Sequence, residues 1–95
     1  MSRFKVANGM EAEVREVFRN RPRLVEGAAG FLGLEVYTDA DDPAVFYLLT
    51  RWTDATSFHA WYSGPMHKLA HEGIPGGLRL DSSYTQVHVL ERVAD

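Results

Sequence analysis

Chemistry-bearing side chains concentrate in residues 58–72, which hold Phe58, His59, Trp61, Tyr62, Ser63, His67, His71 and Glu72. His67 and His71 are four positions apart, a spacing that sets two imidazoles on one face of a helix. Such a pair can chelate a metal, but no carboxylate is spaced to complete a zinc or iron site and no zincin motif is present. A plainer reading has one histidine packed or exposed at a helix end and the other beside the last carbonyls. A single neutral histidine beside a large aromatic cavity is also what an axial haem ligand requires, because the imidazole nitrogen binds iron while rings pack on the porphyrin. The residue types permit that chemistry without selecting it.

Other groups point less far. Asp39, Asp41 and Asp42 cluster where a hairpin turn is expected, and a solvated turn explains them better than a calcium site. Gly73, Gly76 and Gly77 lack the lysine and hydroxyl of a phosphate loop and read as a bend. Ser57, Ser63, Ser82 and Ser83 lack the glycine-flanked elbow of a nucleophilic serine. Trp52 and Phe58 read as core or subunit-contact residues before ligand residues. The chain has no cysteine, which excludes disulfides, thiolate nucleophiles and cysteine-bearing zinc sites.

The elements that must carry these residues follow from periodicity. Residues 3–6 alternate polar with apolar and read as a first strand, and Asn8-Gly9 turns the chain. Met10, Val14, Val17 and Phe18 then fall at helical spacing, with Asn8 as expected cap and Glu11 three residues on as the second half of a capping box. Gly27 and Gly30 end that segment. Residues 31–37 and 44–52 read as second and third strands joined by a polar turn over 38–43. The third strand carries apolar residues on both faces, so helices must cover one and a pocket or second subunit the other. Thr53 or Asp54 caps a second helix holding Phe58, Trp61 and Tyr62, a short helical piece spans 66–72 after Ser63-Gly64-Pro65, and residues 84–91 alternate as a last strand.

At 95 residues the chain has room for one domain, expected over 1–95, with a thin core. An apolar fraction of 45% argues for a globule, and 12% aromatic content leaves rings to spare for a pocket or subunit contact. The net charge of −3 makes nucleic acid and anionic membranes poor partners. No apolar run has the length of a signal or membrane segment, so a cytoplasmic protein is expected.

With these elements in hand, the sequence resembles the antibiotic-biosynthesis-monooxygenase (ABM) superfamily, and within it most the small haem-degrading monooxygenases. The similar features span almost the whole chain: Gly30-Phe31 opening the second strand, Thr50-Arg51-Trp52 closing the third, Phe58 and Trp61 in the next helix, then Ser63 and His71. The resemblance implies an α+β, ferredoxin-like (β-α-β-β-α-β) fold in which two subunits pair their sheets into a dimeric α/β barrel. It places a pocket in each subunit between sheet and helices.

It further implies that Trp61 and His71 mark a haem site, with His71 as proximal iron ligand and Trp61 pressing on the porphyrin. Phe58 and His67 flank them, and His67 is a competing ligand. The family asparagine of the first strand falls on Ser2, which offers a hydroxyl in place of an amide. The implied reaction is oxidative opening of haem with release of iron, electrons coming from a reductase or a small reductant. Other relatives use no cofactor and oxidise aromatic or quinol substrates, for which Tyr37, Tyr47, Trp61, His67 and His88 supply suitable side chains. A third reading is a dimeric binding domain without chemistry.

Overall fold

The computed structural model describes residues 1–21, 23–64, 67 and 75–95. Its elements are β1 (Ser2–Lys5), α1 (Glu11–Arg19), a 3₁₀ turn (Val25–Gly27), β2 (Phe31–Thr38), β3 (Val45–Trp52), α2 (Ala55–Tyr62) and β4 (Gln86–Val87). The strands form one antiparallel sheet in the order β2-β3-β1-β4. That order is the ferredoxin-like arrangement expected from β-α-β-β-α-β.

The expected α/β barrel is corrected: the sheet is open, with β2 at one edge and β4 at the other. Closing a sheet needs edge strands that pair over their length with a consistent tilt and stagger. Here β4 pairs with β1 through two residues only, Gln86 and Val87. The last strand is also shorter than residues 84–91. Leu80 stands opposite Val6 and Gln86 opposite Arg3, so six steps along this segment cover three along β1. The surplus is folded into a turn in which the Asp81 carboxylate accepts the Ser83 N–H at 3.0 Å and the Ser83 hydroxyl at 2.6 Å. Tyr84 is thereby carried over β1, its ring 4.6 Å from the Arg3 guanidinium carbon.

The core sits between α1 and the face of the sheet that carries Phe4 and Phe46. Val6, Val14 and Phe46 form its centre, with Phe4, Met10, Phe18 and Val36 packed around it. Phe4 and Phe46 stack at 5.3 Å between centroids, and Phe18 closes the triangle at 6.1 and 6.2 Å. Helix α1 begins at Glu11 with no side-chain cap. Asn8 was expected to supply one, but its amide instead donates to the Gly77 carbonyl at 2.7 Å, tying the β1–α1 turn to the chain that leads into β4.

Gly30 is held where the 3₁₀ turn meets β2. Its φ is +80°, a region L side chains rarely adopt, and a Cβ would stand 2.7 Å from Thr53 Oγ1 and closer still to Ser57. The close approach lets the Thr53 N–H donate to the Gly30 carbonyl at 2.8 Å, joining the start of β2 to the end of β3. Gly30→Ala is expected to cost more than about 1 kcal/mol of stability, read as a fall in the urea midpoint at unchanged slope.

Candidate functional site

Helix α2 starts from Asp54, whose carboxylate accepts the Ser57 N–H at 2.7 Å. Of the two expected caps it is Asp54 that serves. That bond, with the Ser57 and Thr53 hydroxyls behind it, holds the Asp54 carboxyl below the usual aspartate range. A folded-state pKa below the unfolded one contributes stability that is present above the ordinary value and is lost as pH falls through the folded value. Asp54→Asn keeps a cap that does not titrate. Melts taken from neutral pH down to about pH 3 are therefore expected to show wild type losing more melting temperature than Asp54→Asn, the gap opening only in the acid range.

Fixed at that end, α2 presents a chain of rings. Phe31 meets Trp52 edge-on at 5.4 Å, Trp52 meets Phe58 at 6.0 Å, and Phe58 meets Tyr62 at 5.6 Å. His67 then lies 4.7 Å from the Tyr62 ring and 5.9 Å from Trp61. Trp61, Phe58 and His67 are thus joined, directly or through Tyr62. His71 lies outside the described residues. Among the described residues no group of three or more histidine, cysteine or acidic side chains could hold a metal ion. A haem needs only one axial imidazole and apolar rings against its plane, and the ring cluster around His67 has that chemistry.

Ser2 lies within the sheet, opposite Leu48 of β3 and Val87 of β4. Strand alternation puts it on the same face as Phe4, the helix side. Tyr47 alternates with Phe46 and stands opposite Tyr37, so both tyrosines lie on the helix-free face. There the Tyr37 hydroxyl donates to the Glu35 carboxylate, which also pairs with Arg51 at 3.1 Å, and the tyrosine pKa is raised chiefly by that bond. The five side chains suited to a cofactor-free quinol pocket therefore do not converge. His88, exposed just past β4, bonds to Gln86 at 2.9 Å.

A cleft of about 740 Å³ opens beside this cluster, between the end of β3 with Phe58 on one side and residues 88–92 with Met1 on the other. Phe58 reaches it, as does Trp52, whose buried indole N–H has no acceptor among the described residues. Sequence reading missed the second wall. Reciprocal bonds between Met1 and His88, at 2.6 and 2.8 Å, create it by joining residues 87 positions apart, and no local pattern announces such a pairing. Burial lowers the pKa of the Met1 amine at this place.

The open ferredoxin-like sheet, with aromatic α2 laid against the end of β3, defines an α+β domain of the ABM type. The antibiotic biosynthesis monooxygenase family model matches residues 1–73, and the chain belongs to that family. Among solved structures it is similar to MhuD, a haem degrader from Mycobacterium tuberculosis with two haems bound in its active site. The two share 27% identity over 96% of this chain and 94% of that one, with a TM-score of 0.64. It is also similar in fold to PA3566 from Pseudomonas aeruginosa, at 15% identity over 94% of this chain and 90% of that one and a TM-score of 0.57. No curated protein matches it in sequence. Among the described residues, no helix is long and apolar enough to cross a membrane.

Proposed function

We propose that this protein, as one domain over residues 1–95, is a haem-binding monooxygenase that opens haem oxidatively and releases its iron. The observation that carries the reading is the ring cluster of Trp61, Tyr62 and His67, which supplies imidazole and apolar planes in a chain similar to a haem degrader. His71 holds the iron, and Trp61 and Phe58 pack on the macrocycle. His67 lies beside Trp61 and competes for the metal. Ser2, on the helix side of the sheet, offers a hydroxyl where the family places an amide. Haem supplies the oxygen chemistry, and a reductase or small reductant supplies the electrons. The protein acts as a homodimer; the exposed Tyr37 on the helix-free face is the kind of surface that a second subunit covers.

The test is a haemin titration of the purified protein followed through the Soret band. Saturable binding near one haem per subunit is expected, followed by loss of the band and appearance of free iron when a reductant and oxygen are added. A titration that stays linear, with no shifted band, overturns the reading.

A further inference from the structure

We infer that Trp52 is a positioning residue for the ring cluster of the proposed haem site, acting through Phe58 and Tyr62 on the His67 imidazole. Helix α2 has no buried residue of its own, so no apolar face sunk in the core fixes where it lies. Its first end is pinned by the Asp54 cap. Four residues on, Phe58 rests edge-on against Trp52, with 6.0 Å between ring centroids. The cap and this ring contact are separated by about 6 Å along the helix, and Tyr62 lies as far again beyond it. A change at Phe58 therefore tilts α2 about its capped end and moves Tyr62 roughly twice as far.

Trp52 is itself held from the strand side. Alternation sets Phe46, Leu48, Thr50 and Trp52 on the helix face of the sheet. Across the ladder, Leu34 stands opposite Thr50 and Phe31 opposite Trp52, although Phe31 and Leu34 are an odd number of residues apart. The register shift between Phe31 and Gly33 makes both pairings possible. It lets Leu32 out of the ladder, 64% exposed. In a regular strand Phe31 would turn to the helix-free face. The bulge keeps it on the helix face, where its ring meets Trp52 edge-on at 5.4 Å. Just beyond these rings the Thr53 N–H bonds to the Gly30 carbonyl and ties the two strands together.

What this place uses is the breadth of the indole. Its buried N–H meets no acceptor among the described residues, a state that costs stability. Leucine or phenylalanine would escape that cost, but neither spans from Phe31 to Phe58. From Phe58 the contacts pass along α2 to Tyr62 at 5.6 Å, and from Tyr62 to His67 at 4.7 Å.

This inference rests on the haem reading, and a measurement made without haem separates the two. The His67 ring lies against Tyr62, whose ring current shifts the imidazole NMR signals away from those of a free histidine. Trp52→Leu is expected to move them back toward the free position while the Val6 and Val14 methyl signals of the core stay in place. It is also expected to weaken haemin binding about tenfold. Trp52→Phe, a shorter ring that removes the unanswered N–H, is expected to give a smaller shift of the same sign with a melting temperature near that of wild type. Where Trp52→Leu does not fold, Phe31→Leu loosens the indole from the strand side, and its His67 signals are expected to move the same way. A folded variant with a lowered melting temperature and unmoved His67 signals overturns the positioning role and leaves the haem reading standing. Moved signals uphold the role, and should wild type then fail to bind haemin, the haem reading alone falls.

Discussion

Phe46→Ala is expected to destabilise the protein by about 3 to 5 kcal/mol, much of the 5 to 15 kcal/mol that holds a domain of this size together. Phe46 is 1% exposed and lies at the centre of the core. Its ring stacks on Phe4 of β1 and touches Phe18 of α1, so truncation empties a place where the central strands and first helix meet. Only five apolar residues are buried among those described, and so thin a core has little to collapse with. Phe18→Ala, at a half-buried position on the rim of the triangle, is expected to cost less. Denaturant unfolding of the two variants tests the ranking, and equal losses would mean that the three rings share the load.

How much of this was legible in advance depends on where each element gets its order. Strands β2 and β3 were readable because β-branched and aromatic residues alternate through them, and their register follows from a short turn in which Asp39 and Asp42 accept the N–H groups of Asp41 and Ala44. The last strand was misread because Tyr84 and Thr85 alternate like a strand while the Asp81 carboxylate bends the chain just before them. Asn8 looked like a helix cap because the spacing to Glu11 is right, yet its better partner is the Gly77 carbonyl, 69 positions away. In the site, helical spacing was enough to bring Phe58, Trp61 and Tyr62 onto one element. The partnership of Phe58 with Trp52 and the cleft itself arise from long-range strand pairing, which residue types do not encode locally.

On the proposed haem reading, in which His71 holds the iron, His71→Ala is expected to lower haemin affinity by more than the roughly 100-fold that loss of a supporting group costs a metal site. His67→Ala is expected to cost less, about tenfold, because the imidazole packs edge-on to Trp61 and over Tyr62 and its loss removes ring contact rather than a ligand. The two variants differ in spectrum as well as affinity. Without His71 the Soret band shifts to that of a haem lacking a strong axial donor, and added imidazole restores it. Without His67 the band keeps its position and binding is merely weaker. If His67→Ala instead abolishes the band while His71→Ala leaves it intact, iron is held by the imidazole that lies against Trp61 and Tyr62. If neither substitution moves the band, neither histidine holds the iron, and His67 with the aromatic cluster on α2 is packing for the end of β3, where Trp52 and Phe31 already join it.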